Sequence, residues 1–291
     1  MKEKVRIGII GGSGLYQMDG VEDITTMAVD TPFGKPSDEL IIGSLNGEKI
    51  AFLARHKRGH CIMPTEINFR ANIYALKSIG VEWIISISAV GSLREEFQPL
   101  DMVIPDQVFD YTKHRISTFF GEGMVAHVGM ADPFCPTLSQ ILLDTATDAG
   151  CCVHKGGTYV CIEGPQFSTR AESNAYRQLG FDIIGMTAMP EAKLAREAQI
   201  CYATLAMVTD YDVWHESTGD VTVEMVIENL NKNVANAKRI INNIISRIPQ
   251  ERGGGISGTC GCASALKNAV ITNPDIIPDE TRKKLALLKE L

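Results

Sequence analysis

No apolar run in this 291-residue chain reaches the roughly 20 residues that a membrane-spanning helix takes. An excess of positive charge is also missing. Against 35 Asp and Glu stand 28 Lys and Arg, a formal charge of −7, which excludes a general nucleic-acid or membrane surface. An anionic ligand therefore needs a local basic pocket. The dinucleotide fingerprint fails: from Gly12 and Gly14 the third glycine of G-x-G-x-x-G falls on Gln17, and no Gly-Lys-Ser/Thr phosphate loop occurs anywhere. His56 and His60 are four apart, but no glutamate follows the first, so the H-E-x-x-H metal pattern is missing. None of the eight cysteines forms a Cys-x-x-Cys pair, which leaves no zinc spacing, and no metal is expected. Most read as small buried hydrophobes. Cys260-Gly261-Cys262 stands apart, because a disulfide across one residue would be strained, easily reduced and suited to redox work. Pairing of Cys135 or Cys201 with distant cysteines is a further alternative, as in disulfide-rich heat-adapted proteins.

What is present is ordinary globular composition, enough for one large α/β domain or two small ones. The short apolar run 5–10, followed by glycines rather than a cleavage site, reads as a first strand, so a cytoplasmic protein is expected. Runs 5–10, 50–55, 83–88, 102–108, 158–162, 183–186 and 203–209 read as strands. Segments 68–79, 139–149, 170–179 and 191–199 read as helices, with a capping box at Thr169–Glu172 and Pro190 at a first helical position. Apolar residues at helical spacing from 222 to 248 predict a long amphipathic helix. The alternation predicts a central, largely parallel sheet covered by helices, with ligand loops at the strand C-termini. Residues 1–250 are read as one domain. The glycine-rich stretch 253–255 then loosens the chain, and 251–291, ending in a helix over 278–291, packs on that domain as a subunit contact or a lid.

The chemistry-bearing residues sit at those strand ends. Asp210 and Asp212, one residue apart, would share a side of an extended backbone. A neutral acid there can donate to a ring nitrogen while a carboxylate accepts from an exocyclic amine, the pair that a 6-aminopurine presents at N7 and N6. The turn Gly11-Gly12-Ser13-Gly14 is either a backbone cradle for an anion or a plain tight turn. Arg55-His56, Ser88-Ala89 and Met186-Thr187 end successive strands, and their recurrence is what a phosphate site on this architecture requires. Phe167-Ser168 offers a ring to stack on a heteroaromatic base, with core packing as the alternative. His127 is either a ligand contact or an ordinary loop histidine.

Several segments resemble the purine nucleoside phosphorylase family, in its methylthioadenosine-cleaving branch. They are Gly-Gly-Ser-Gly-Leu (11–15), Leu-Ala-Arg-His (53–56), Ala-Val-Gly-Ser-Leu-Arg-Glu-Glu (89–96), Ile-Glu-Gly-Pro-Gln-Phe-Ser-Thr-Arg (162–170), Met-Thr-Ala-Met-Pro-Glu (186–191) and Thr-Asp-Tyr-Asp-Val-Trp (209–214). The likeness runs in order from about residue 5 to 250. It implies a three-layer α/β/α sandwich around a twisted mixed sheet, in a homotrimer or a dimer of trimers whose sites a neighbour completes. It assigns phosphate to Ser13, Arg55, His56, Ser88, Ala89 and Thr187, and sugar and base contacts to Phe167, Ser168 and Met186. Purine recognition falls to Asp210 and Asp212. His127 of an adjacent subunit, with Val223 and Val226, would surround the 5′-substituent. Serines stand at 13 and 88 where family members often carry threonine, and the Cys-x-Cys tail resembles the branch from heat-loving microbes, which also tolerates adenosine.

Residues and resemblance together lead to one expected reaction: phosphorolysis of 5′-methylthioadenosine to adenine and 5-methylthioribose 1-phosphate. Asp210 would be the acid at N7, inorganic phosphate the cosubstrate, and no other cofactor is needed. A 6-oxopurine or broad-specificity phosphorylase is the alternative, and it would favour an amide at position 210. A nicotinamide oxidoreductase and a non-catalytic nucleoside-binding protein are rivals from other classes.

Overall fold

The computed structural model describes residues 4–12, 15, 20–215, 222–250 and 260–288. Its strands are β1 (Ile7–Gly11), β2 (Glu22–Met27), β3 (Leu40–Leu45), β4 (Glu48–Ala54), β5 (Trp83–Ser92) and β6 (Met102–Ile104). They continue as β7 (Gln107–Tyr111), β8 (Val153–Lys155), β9 (Thr158–Ile162), β10 (Ile183–Gly185) and β11 (Cys201–Asp210). The helices are α1 (Phe69–Ser78), α2 (Pro136–Asp148), α3 (Arg170–Gln178), α4 (Ala188–Glu197), α5 (Val223–Ile244) and α6 (Asp279–Leu285).

The central strands are buried on both faces, and their side chains alternate between two cores. Ile7 and Ile9 of β1, Trp83, Ile85 and Ile87 of β5, and Ala203, Leu205 and Met207 of β11 pack with α2 and α5. Ile10, Ile84, Val90, Tyr202, Ala206 and Val208 point the other way, onto α1 and α4. The result is the three-layer α/β/α arrangement. β1–β4, β1–β5, β5–β11, β9–β10, β6–β8 and β7–β9 run parallel. β5–β10, β6–β11, β2–β3 and β3–β4 run antiparallel, so the sheet is mixed. Among the described residues no helix is long and apolar enough to cross a membrane.

The single strand expected over 102–108 is two. Pro105 lacks an N–H for the ladder, and the chain changes partners there: β6 lies beside β11 and β8, while β7 lies beside β9. β2, β3 and β8 were not expected. β2 is almost wholly exposed, so no apolar alternation marks it. In the C-terminal segment Leu266, Ala269, Ile277, Leu285 and Leu288 enter the core beneath α1 and α4, while Cys262 enters the opposite one.

One further device fixes the end of β11. Asn229 and Asn233, one turn apart on α5, donate from Nδ2 to the carbonyls of Thr209 (2.7 Å) and Val208 (2.9 Å). Asn233 is fully buried. Loss of Asn229 leaves the Thr209 carbonyl without this donor, at a cost of about 1–3 kcal/mol if water does not replace it. Asn229→Ala should lower the denaturant midpoint accordingly and also reduce turnover, because the carbonyl it holds precedes Asp210. An unchanged midpoint would show that solvent satisfies this strand end.

Candidate active site

β1 accompanies β5 only as far as Ser86, and β10 joins the same edge only at Gly91. Between them residues 87–90 of β5 have no strand beside them, while β11 follows the other edge throughout. An open strand edge at a change of neighbours is where α/β sheets bind ligands. The phosphate candidates gather around it. Arg55 follows β4, and its backbone N–H bonds to Gly11 O (3.0 Å).

The Arg55 guanidinium is buried and does not face an open pocket with both prongs. Its Nε and Nη2 donate to the two carboxylate oxygens of Glu191 on α4, each at 2.8 Å. Nη2 also donates to Ser86 Oγ (2.8 Å), and Nη1 reaches Ile87 O at 3.3 Å. Burial opposes the charge, but Glu191 beside it more than compensates and holds the guanidinium firmly protonated. Glu191 Oε1 further accepts from Ser86 Oγ (3.0 Å) and Tyr202 Oη (2.9 Å). The residue pattern alone assigns the bidentate fork to phosphate. The structure gives it to Glu191, and leaves to an anion the positive field and the remaining Nη1 hydrogen.

Hydroxyls complete this corner. Ser88 Oγ lies 3.2 Å from Thr187 Oγ1 and 3.3 Å from Tyr159 Oη. Thr187 is the N-cap of α4 but spends no side-chain bond on capping, so its hydroxyl is available. Ala89 is half-buried beside Ser88 on the open edge. His56 enters this corner as a neutral ring. Burial, followed by the nearby Arg55 charge and set against the Nδ1 contact to Ile62 O (2.9 Å), lowers its pKa to about 4. The ring is neutral near pH 7 and stacks on His60. Ser13 lies outside the described residues.

The acid pair lies three residues further along β5. The extended backbone behind the same-side argument does not hold: β11 ends at Asp210, and Asp212 has φ 51° in the left-handed region. The two residues still stay together, because the chain folds back and the Asp212 N–H donates to Asp210 Oδ1 (2.8 Å). Thr209 Oγ1 lies 2.7 Å from Asp210 Oδ2. Burial, only partly offset by those two donors, pushes the Asp210 pKa up to about 6. Burial raises Asp212 as well, with Ser173, Ser168 and the Val213 backbone opposing it. Oδ2 of Asp212 and Oγ of Ser168 are nonetheless buried without a hydrogen bond among the described residues. Gly91 makes this packing feasible: a Cβ there would fall 2.8 Å from Asp210 Oδ1 and 3.0 Å from Ile184 Cγ2.

Phe167 is exposed, so it is not a core residue. Met186 packs its sulfur over Gly164, and its carbonyl accepts from Arg115 (2.6 Å). Val223 is exposed and Val226 half-buried on the first turn of α5, which Thr222 caps. His127 is exposed, and its backbone N–H bonds to Ala269 O of the C-terminal segment (2.9 Å). Among the described residues no hydrogen bond ties its side chain to the acid pair within one chain. Sequence reasoning missed Glu191, Ser86, Tyr159, Tyr202 and Gly91. The signal was there for two of them: Ser86 and Ser88 share a face of an apolar strand, and Glu191 is a lone acid in an apolar helix start.

The chain belongs to the phosphorylase superfamily, whose family model matches residues 6–246. Its similarity is specific within that family. It is 56% identical over 285 residues to the S-methyl-5′-thioadenosine phosphorylase of Koribacter versatilis, covering 98% of this chain and 96% of the relative. A crystal structure of methylthioadenosine phosphorylase from an Antarctic soil metagenomic library superposes with a TM-score of 0.92 at 52% identity, covering 99% and 100% of the two chains. A variant of the adenosine/methylthioadenosine phosphorylase of Schistosoma mansoni, solved with methylthioadenosine, gives 0.80 at 39% identity over 85% and 93%.

Two substitutions test the geometry. Glu191→Ala strands a buried guanidinium and should cost about 3–5 kcal/mol of unfolding free energy. A loss below about 1 kcal/mol, measured by denaturant titration, would mean that water reaches Arg55. Gly91→Ala should displace the Asp210 carboxyl and cut turnover by about tenfold or more, the scale expected from misplacing a catalytic group. Wild-type turnover in that variant would show that the acid pair tolerates movement.

Proposed function

We propose that this chain is a pentosyltransferase that phosphorolyses 5′-methylthioadenosine to adenine and 5-methylthioribose 1-phosphate, and also accepts adenosine. The observation that carries the reading is the buried acid pair at the end of β11, whose Asp212 Oδ2 makes no close hydrogen bond among the described residues. Desolvated oxygens such as Asp212 Oδ2 are rare in folded proteins unless a ligand donates to them. An adenine N6 amine is such a donor, and a 6-oxopurine carbonyl would instead meet Asp212 as acceptor against acceptor.

Phosphate would sit against Ser88, Ala89 and Thr187 in the field of Arg55, with Ser13 and the His56 segment closing the corner. As the C1′–N9 bond lengthens, the sugar becomes cationic and the purine anionic. Phosphate stabilises the first and attacks C1′, while Asp210 passes a proton to N7. With a pKa of about 6, about a tenth of Asp210 is protonated at pH 7 before substrate binds. Stacking of the base on the exposed Phe167 ring would expel more water and raise that fraction. Met186 and Ser168 would line the ribose and base. His127 of a second copy, with Val223 and Val226, would enclose the 5′-methylthio group, which makes the working unit a homo-oligomer. Phosphate is the cosubstrate, and the chemistry calls for no metal or organic cofactor. A cytoplasmic location suits these substrates.

The proposal as a whole is tested by adenine release from methylthioadenosine with and without phosphate. Phosphate-independent release, or none, rejects it. Asp210→Asn is expected to reduce turnover by about a hundredfold or more. The wild-type kcat/KM should decline as pH rises through and above about 6, where Asp210 loses its proton, relative to the Asp210→Asn variant assayed at the same phosphate. Parallel pH profiles would remove Asp210 from proton transfer. Asp212→Asn should shift the ratio of 6-oxopurine to 6-aminopurine nucleoside turnover by about tenfold or more toward the oxo form; a constant ratio would mean another group selects the base.

A further inference from the structure

Four of the eight cysteines converge far from each other in sequence. The sulfurs of Cys135, Cys201, Cys260 and Cys262 all lie within 4.8 Å of one another, and the Cys201–Cys260 pair is 3.4 Å apart. Each comes from a fixed piece of structure. Cys135 is the N-cap of α2, with no side-chain capping bond and a backbone N–H held by Tyr202 O at 2.7 Å. Cys201 opens β11, and Cys260 and Cys262 flank the start of a short 3-10 turn, Gly261–Ser264. All four are free thiols, and Cys135, Cys201 and Cys262 are buried.

We propose that Cys135, Cys201, Cys260 and Cys262 form a closed tetrathiolate site for one structural zinc ion, which fastens the C-terminal segment to the seam between α2 and β11. Four thiolates at the Zn–S distance of about 2.3 Å form a tetrahedron with edges of about 3.8 Å, and the cluster brackets that size. Sulfurs meant for two disulfides would separate into two facing pairs at about 2 Å; here all four share one centre. An all-sulfur tetrahedron selects zinc or iron over hard cations, and four protein ligands leave no position for substrate. Each thiol binds as thiolate and releases its proton to solvent. The α2 N-terminus at Cys135 favours negative charge. Spacing alone does not mark this cluster, since its members span residues 135 to 262 and meet only through the fold.

The site sits in the core beneath α2 and α5, on the face opposite Glu191, so its test is independent of catalysis. The full chain, purified under reducing conditions without chelator, should carry about one zinc per chain by elemental analysis. The reduced, metal-free chain titrated with cobalt(II) should saturate at about one equivalent and show the visible bands of a tetrahedral cobalt thiolate. Cys260→Ser and Cys262→Ser should each weaken cobalt binding by about tenfold or more, whereas Cys61→Ser, outside the cluster, leaves it unchanged. If Cys262→Ser does not fold, the wild-type titration still decides. Eight titratable thiols without metal, or an intact mass four hydrogens lighter from two disulfides, overturns the proposal.

Discussion

A single buried ion pair organises the catalytic half of the molecule. The Arg55 guanidinium and the Glu191 carboxylate cannot be left alone in the interior, because an unpaired buried charge costs several kcal/mol. Their bidentate contact therefore fixes the end of β4 against the start of α4. Ser86 and Tyr202 add β5 and β11 to the same oxygen. Four elements are thus registered around one carboxylate, and the hydroxyls of Ser88 and Thr187 inherit their positions from it. The pair is also a bias on the pocket. Its two charges cancel at a distance, but the guanidinium lies nearer the open edge of β5 through Ile87 O, so an anion there meets the positive end.

The acid end obeys a different constraint. Asp210 and Asp212 occupy a site where desolvation opposes both charges, and each raises the cost of ionising the other. The Asp212 N–H and the Thr209 hydroxyl soften this for Asp210 without removing it, hence a pKa of about 6 rather than far higher. That compromise matters chemically. A carboxyl protonated at all pH values would donate a hydrogen bond but hold its proton too tightly to transfer it, while one near the ordinary value of about 3.9 would rarely carry a proton at neutrality.

Much of this was legible in the chain. The short apolar runs over β1, β5 and β11 gave the central strands, the Thr169–Glu172 box gave α3, and the strand-end residues Arg55, Ser88, Thr187 and Asp210 fell at the kind of strand end where an α/β sheet binds ligands. What escaped has a common physical cause: it depends on contacts between distant segments. Glu191 and Tyr202 carry no local signature of their partners, and for Glu191 the guanidinium it holds lies 136 residues away in sequence. β2 was invisible because its residues are solvated on both faces. Asp210 and Asp212 do lie together, but not through the extended backbone that their spacing suggests. Asp212 faces its neighbour through a left-handed turn and a backbone hydrogen bond, neither of which residue spacing encodes. The convergence of the four cysteines shows the same limit, since residue spacing reports a cluster only when its members are local in sequence.

The two ends of the site explain each other. Gly91 on β5 abuts Asp210, while Ser88, three residues earlier, meets Thr187, so at about 3.3 Å per residue about 10 Å of one rigid strand separates the acid pair from the Ser88–Thr187 hydroxyls. An anion at one end and two carboxyls at the other bracket a middle region that is electrostatically hospitable to a positive charge. A ground-state nucleoside is neutral there and gains little. Only as its glycosidic bond breaks does the sugar become cationic and benefit from both ends at once. For that arrangement to hold the purine, one of the acids must be neutral, since the departing base is itself becoming an anion. On the proposed reading, the raised pKa of Asp210 is thus the condition under which a site with a bound anion at one end and two carboxyls at the other can cleave a neutral molecule between them.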